Sequence, residues 1–419
     1  MTEPPYGQPP QQAQPPYGPP PYGQQPPYGP PHYPVTGYPP AGYPPPGWPA
    51  QPPVQPSAPA PYPVPQGGAP MQAWQAAPRP AFPHAEPREY HQMYRTWTYR
   101  WWRPVVGILL LAVGMIIVLP LLTFPVLMVG VLIENGTQDY GTALMQAGTL
   151  EKVTPAGMLY LNLSLAGMVL WAWGLIRVLH QMRPRWLASV RPRLRWKFLF
   201  VCMGLAVVAL IAQLLVSLLL PESANPDLSS GSGSSMSTGT AIALALVILL
   251  TTPLQAAGEE YAFRGYLMQA VGSLSRRRWV ALLVTSTLFA LAHGVQNFPL
   301  FFDRFMFGLI AGWLVIRTGG LEAGIAMHVL NNYLAFGLAL AFGSLDDTLS
   351  VSQVSWWNIP VTLTQSIVYA ALAAWAAKAM KLQRTTRPPV QQHEVEAGAP
   401  PGTSPGASPG TQPEPQPLL

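Results

Sequence analysis

Cysteine is almost absent from this chain. The single thiol, Cys202, lies in an apolar run, so no disulfide within one chain and no cysteine-based metal cluster can form. The expected role of Cys202 is that of a small buried hydrophobe. Charge is scarce too. Charged residues make up 10% of the 419 residues, against 49% hydrophobic, where a soluble domain carries about 25% charge. That imbalance argues against an ordinary soluble globule. The start, MTEPPYGQPP, has no basic stretch followed by an apolar one, so no cleavable signal peptide is expected.

Proline is plentiful (52 residues) but gathers at the two ends. Residues 1–90 repeat PPYG-like units such as Pro15-Pro16-Tyr17-Gly18. Proline lacks an amide donor and glycine is entropically costly to order, so this stretch is expected to be a disordered arm with polyproline segments. It serves as a spacer or as a ligand for a partner domain. Residues 381–419, with PGTSPGASPG, read as a second disordered tail.

Between the tails lie apolar runs at about 104–133, 156–178, 198–220, 240–258, 279–297, 300–316, 320–342 and 357–379. Each approaches the roughly 20 residues that cross a bilayer. The fold class is therefore all-α, a polytopic membrane protein of about eight transmembrane helices. Pro120 and Pro125 predict a kink or break in the first.

Arginine and lysine mark alternate loops: Arg88–Arg103, Arg183–Lys197, Arg276–Arg278, Arg317 and Lys378–Arg387. The other loops carry almost none. Both termini are thus expected to be cytoplasmic in a plasma membrane protein. Trp101, Trp102, Trp186, Trp196, Trp279, Trp356 and Trp357 fall near span ends, as interfacial anchors do. The basic loops are short and abut apolar spans, which gives no reason to invoke nucleic acid. The bilayer, including anionic lipid, is their expected partner.

Ionisable groups inside spans are costly and mark function by default. Here they cluster in the second half. LQAAGEEYAFRGYL carries Glu259, Glu260 and Arg264 on what reads as one helix over about 240–274. Glu260 and Arg264 are four apart and share a face. Glu259 projects about 100° away from Glu260, so one carboxylate can be structural while the other faces a cavity. The next span carries His293, with Phe289 one turn before it. The seventh carries His328, with Asn332 one turn on, and Asn331 pointing elsewhere. Glu259 lies 17 residues before the basic turn at 276–278, His293 lies 15 after it, and Asn332 lies 15 beyond Arg317. At roughly 1.5 Å per residue these fall about 22–26 Å deep, at one level. Glu322, at the start of the seventh span, reads as a solvated helix end or an access gate.

A desolvated glutamate suits a general base, histidine can share its proton, and a second His with an Asn can donate to an oxyanion. No Ser–His–acid series lies in the spans, and HExxH is absent. Two His and one Glu, here Glu259, His293 and His328, also form a known zinc ligand set. Zinc stays open as a cofactor, and the metal-free version is preferred because Asn332 suits an oxyanion.

These residues resemble the motifs of the CAAX protease and bacteriocin-processing family, also called the Abi or type II CAAX prenyl endopeptidase family. EExxxR is matched by Glu259-Glu260-Tyr261-Ala262-Phe263-Arg264, FxxxH by Phe289 to His293, and HxxxN by His328 to Asn332. The resemblance covers about 195–380, which becomes the catalytic membrane domain, with 91–194 holding the first membrane helices and a basic loop. It implies an intramembrane endopeptidase in which Glu259 activates water with His293, His328 and Asn332 hold the oxyanion, and Glu260 and Arg264 support them. The substrate would be a membrane-embedded or lipid-anchored peptide. Two rival classes are a proton-coupled transporter and a non-catalytic scaffold or immunity-type protein. The first predicts internal repeats, and none is seen between 104–220 and 240–379.

Overall fold

A computed structural model describes residues 83–221, 236–294, 296–342 and 345–386. The expected disordered arm to residue 82, the Ser/Gly-rich loop 222–235 and the tail from 387 lie outside the described residues. Among the described residues there is no strand, only the isolated bridges Glu89–Thr385 and Ser189–Gly320.

Among the described residues eight longer helices build the bundle: α1 (Trp102–Asn135), α2 (Pro155–Leu179), α3 (Trp196–Leu218), α4 (Thr238–Ser275), α5 (Arg278–Leu291), α6 (Phe298–Thr318), α7 (Glu322–Phe342) and α8 (Asn358–Ala379). Seven are long and apolar enough to cross a membrane; α5, with 14 residues, is shorter. Ile116, Leu121, Ile133, Leu218 and Leu250 are all more than 60% exposed. A soluble monomer rarely leaves so much apolar surface open, and here it is the wall that meets hydrocarbon.

Helix α1 is not broken at its prolines. The turn Gly114–Val118, just before Pro120, is widened to π geometry. A proline has no amide to give and its ring crowds the carbonyl four residues back, so a widened turn absorbs the mismatch. In α5 the expected run ends early. The helix stops at Leu291, and the chain turns through Gly294, whose φ of +83° suits a residue with no Cβ. Asn297 then caps α6 by accepting from the Leu300 amide at 3.2 Å, with Pro299 in the first turn.

The basic loops meet at one end of the bundle. Gln92 Nε2 donates to the Arg276 carbonyl at 3.1 Å, Thr98 Oγ1 to the His180 carbonyl at 3.3 Å, and the Arg88 amide to Thr386 Oγ1 at 2.9 Å. The Val190 amide donates to the Gly319 carbonyl at 2.8 Å. The loops poor in positive charge meet elsewhere: the Val153 amide donates to Asp346 Oδ1 at 2.6 Å, and the Asn297 amide to the Ser352 carbonyl at 2.8 Å. Alternating loop charge and alternating loop contacts therefore agree.

Three expectations need correction at the basic end. Packing begins before residue 90: His84 is buried, and Tyr90, Met93 and Tyr94 form part of the core. Glu322 is neither solvated nor a gate. It is fully buried and holds Arg195 through Nε at 2.8 Å and Nη2 at 2.5 Å, while Arg195 Nη1 reaches the Thr318 carbonyl at 2.9 Å. A buried carboxylate requires such a partner, and the arginine six residues after Ser189 supplies it. Of the seven interfacial tryptophans, Trp186 is also buried, with His84 edge-on to its ring at 5.5 Å; the other six are exposed.

Candidate functional site

Helix α4 supplies most of the polar side chains. Glu260 begins a stretch of π geometry that runs to Leu267, so the EExxxR residues sit where the helix is locally widened, a feature that often accompanies functional sites. Every residue of that stretch is buried. Glu260 is fully buried, and its Oε1 accepts from Arg264 Nη1 at 2.9 Å and from His328 Nδ1 at 3.0 Å. The Arg264 guanidinium lies over the Phe289 ring at 4.0 Å and near Phe307 at 5.6 Å. A buried cation is thus held by one carboxylate and two aromatic faces.

Glu259 is nearly buried as well. Its Oε2 stands 3.9 Å from His328 Nε2. The two adjacent carboxylates therefore approach the two nitrogens of one imidazole. His328 itself packs edge-on to Phe307 (5.1 Å) and Phe289 (6.1 Å). Room for the Glu260 carboxylate comes from Gly324, one turn before His328, where an added Cβ would lie 2.5 Å from Glu260 Oε2.

Asn332 joins through a residue that the motif reading passed over. Gln255 donates from Nε2 to Glu259 Oε1, and its Oε1 accepts from Asn332 Nδ2 at 3.0 Å. The signal was present: Gln255 is a polar residue in an apolar helix, four before Glu259 and so on the same face. Asn331 points elsewhere, accepting from Gln365 Nε2 of α8 at 3.2 Å.

His293 is placed differently from the rest. It was expected deep in a helix, but it lies in the turn after α5 because the helix ends at Leu291. Its Nδ1 bonds the Phe289 carbonyl at 2.8 Å, which leaves Nε2 free to accept. Its ring lies 4.8 Å from that of Phe289, and Glu259, Arg304 and His328 are its ionisable neighbours. It makes no direct hydrogen bond to Glu259. Arg304 of α6 fixes the turn by donating to the His293 carbonyl (3.4 Å) and Gln296 Oε1 (3.1 Å). Asp303 beside it accepts from Thr362 Oγ1.

Zinc would need its side-chain ligands grouped together. Among the described residues no three His, Cys, Asp or Glu side chains form a group that could hold a metal ion. Glu259, His293 and His328 are therefore not assembled as ligands, and His328 Nδ1 is already taken by Glu260.

Residues 241–334 match the family described as type II CAAX prenyl endopeptidase Rce1-like. This stretch of the chain resembles that family. It runs from the first turn of α4 to just past Asn332 and contains Gln255, Glu259, Glu260, Arg264, Phe289, His293, His328 and Asn332. At the coarse level the family is one of membrane endopeptidases. One relative is the Bacillus subtilis (strain 168) protein described as uncharacterized protein YyaK, 26% identical over 144 residues, 32% of this chain and 48% of that one. The chain thus spans about half the length of that relative. No solved structure matches. The matched stretch begins at α4, so α1–α3 and the basic-end segment 84–101 lie outside it.

Proposed function

We propose that the chain is an intramembrane endopeptidase that hydrolyses a peptide bond of a membrane-embedded or lipid-anchored substrate by a glutamate-activated water, without a metal. The observation that carries this reading is the partly buried network Asn332–Gln255–Glu259, with His328 between Glu259 and Glu260, inside the stretch that matches the Rce1-like family. Glu259 Oε1 is held by Gln255, which leaves Oε2 as the basic oxygen. The 3.9 Å between Oε2 and His328 Nε2 is too long for a direct hydrogen bond and suits an atom that both can reach.

In the proposed reaction Oε2 takes a proton from water as it attacks the carbonyl. His293 Nε2, free because Nδ1 is bound to Phe289, shares that proton and passes it to the leaving amine. His328, held through Nδ1 by Glu260, and the second amide hydrogen of Asn332 stabilise the oxyanion. Glu260 and Arg264 position His328 and do not touch substrate. His293 reaches the reacting atoms only through the water or substrate, since it has no direct bond to Glu259. The scissile bond enters between α4, α5 and α7, with both termini of the chain on the cytoplasmic side of a plasma membrane.

The test uses purified protein in neutral-lipid nanodiscs and a library of membrane peptides that includes prenylated C-terminal tails. Wild type is expected to cleave a subset, and Glu259→Gln to lower kcat by about 10²–10⁴-fold, the usual contribution of a general base. Unchanged cleavage by Glu259→Gln refutes the base assignment. Absence of any cleavage by wild type favours a non-catalytic scaffold.

A further inference from the structure

The basic end of the bundle holds a polar pocket, well away from the carboxylates of α4. Its volume is about 350 Å³. Three guanidinium groups line it: Arg88 and Arg95 from the segment before α1, and Arg276 from the turn between α4 and α5. Gln92, Thr96 and Tyr99 add neutral hydrogen-bonding groups, and Glu86 stands at the rim.

These charges are poorly matched. Arg88 Nη2 pairs with Glu86 Oε2 at 3.0 Å, and Glu86 is largely exposed. Arg95 and Arg276 have no carboxylate partner among the described residues. Arg95 has only the Leu274 carbonyl at 3.4 Å and the Tyr99 ring at 5.1 Å. The Nε atoms of Arg88 and Arg95 are buried with no acceptor. Desolvation first, then the like charges of Arg276 and Arg88, hold the Arg95 pKa below the usual arginine value. Three cations facing one another across a cavity repel unless an anion sits between them.

The geometry that gathers them is deliberate rather than incidental. Arg276 is in the left-handed region (φ +59°) at the end of α4, a conformation that an arginine rarely adopts. Its carbonyl is held by Gln92 Nε2 (3.1 Å) and faces His91 Nε2 (3.3 Å), and Tyr99 donates to the Ser273 carbonyl at 3.2 Å. The segment and the turn are thus locked together around the pocket. The pocket also has a defined depth. Tyr99 is three residues before α1, and Arg276 directly follows α4, so the guanidinium groups stand at the level of the span ends, where exposed Trp97, Trp101 and Trp102 also lie.

We infer that Arg88, Arg95 and Arg276 form a binding site for a phosphate monoester, and that in the membrane its occupant is the headgroup of an anionic phospholipid. Guanidinium forks match phosphate oxygens in pairs, and a monoester has enough oxygens and charge to engage all three. The bound anion would displace Glu86 from Arg88 and tie the segment before α1 to the turn that joins α4, the carrier of Glu259, to α5. The site rests on none of the catalytic assignments above.

Calorimetric titration of the full-length protein in zwitterionic detergent tests it. The probes are dihexanoyl phosphatidic acid, dihexanoyl phosphatidylcholine and inorganic phosphate. Saturable one-to-one binding of phosphatidic acid and none of phosphatidylcholine is expected. Arg276→Gln should weaken it about tenfold, and Arg95→Gln with Arg276→Gln about a hundredfold, as each removed guanidinium forfeits one charge-assisted contact set. Arg100→Gln, outside the pocket, should bind as wild type. Arg276 is exposed, so its substitution leaves the fold intact, and unliganded melting of each variant checks this. Inorganic phosphate that binds while phosphatidic acid does not overturns the lipid source and keeps the anion site. Wild-type affinity in the double variant, or no saturable binding of any phosphate, overturns the site itself.

Discussion

Gly324→Ala separates a carboxylate that is locked in place from one that is merely nearby. The added methyl would lie 2.5 Å from Glu260 Oε2 and 3.3 Å from its Cδ, with Val315 Cγ2 at 3.8 Å. Ordinary contact needs about 3.4 Å, so the carboxylate must retreat by about 0.9 Å. It cannot do so freely, because Oε1 is held by Arg264 at 2.9 Å and His328 at 3.0 Å and the side chain is fully buried. Lengthening both charge-assisted bonds forfeits a large part of about 1.5–3 kcal/mol each. The expected destabilisation is about 2–4 kcal/mol, near the top of what single substitutions cost. Gly204→Ala, where nothing lies within 4 Å, is the control and should be neutral. Thermal and denaturant unfolding in nanodiscs, followed by circular dichroism, reads the difference. Glu260→Asp shortens the side chain by one methylene, so in that background the alanine should cost less than about 1 kcal/mol. Gly324→Ala melting like wild type, or the same cost in both backgrounds, would show that Glu260 is not wedged between α4 and α7 as described.

Three further outcomes are expected. Gln255→Leu removes both the donor to Glu259 and the acceptor for Asn332. It should lower kcat by about 10²-fold with KM little changed; an equal loss in a binding assay would reduce Gln255 to a packing role. Arg195→Gln leaves Glu322 buried without its cation, and equilibrium unfolding should report a loss of about 3–5 kcal/mol, whereas a surface pair would cost under about 1 kcal/mol. His180, outside the spans, is pushed down to about 3 by burial and by Arg103. Its folded value lies below its unfolded value near 6.5, so its contribution is intact above pH 6.5 and is lost as pH falls toward 3. At pH 5 the loss is about 2 kcal/mol. His180→Gln should flatten that part of the stability–pH curve, while His84 and His91, both lowered by burial first, retain the rest.

The helices were legible because each span needs a long apolar run and each loop on one side needs arginine or lysine; hydropathy and charge carry both requirements directly. The site motifs were legible for a related reason. A charge inside a span is too costly to be casual, so Glu259, Glu260, Arg264, His293 and His328 stand out against their neighbours. What was not legible depended on contacts between distant segments. Glu322 looks like an ordinary helix start until Arg195, over a hundred residues earlier, is seen beside it. Trp186 sits in an interfacial pattern but finds His84 across the loop instead. The end of α5 turned on Gly294 and the Asn297 cap, local signals that the long apolar run overrode in the reading of 279–297.

The doublet at 259–260 illustrates how position along a helix becomes a division of labour. In a regular helix adjacent residues diverge by about 100°, which suggests one catalytic and one structural carboxylate on different faces. Here the widened turns begin at Glu260, and both side chains approach the same imidazole, Glu260 at Nδ1 and Glu259 at Nε2. The distinction lies instead in what else holds each one. Glu260 has Arg264 and full burial, so its charge is balanced in place. Glu259 is held by the neutral amide of Gln255 and stands 3.9 Å from His328, so its Oε2 is the carboxylate oxygen left open toward a reacting atom. That asymmetry, rather than the direction of projection, is the physical reason to assign the base to Glu259. Exchanging the burden tests it: Glu260→Gln should cost stability before it costs chemistry, and Glu259→Gln the reverse, read from unfolding and single-turnover cleavage on the same preparations. Equal effects of both substitutions on both readouts would leave the doublet without a division of roles.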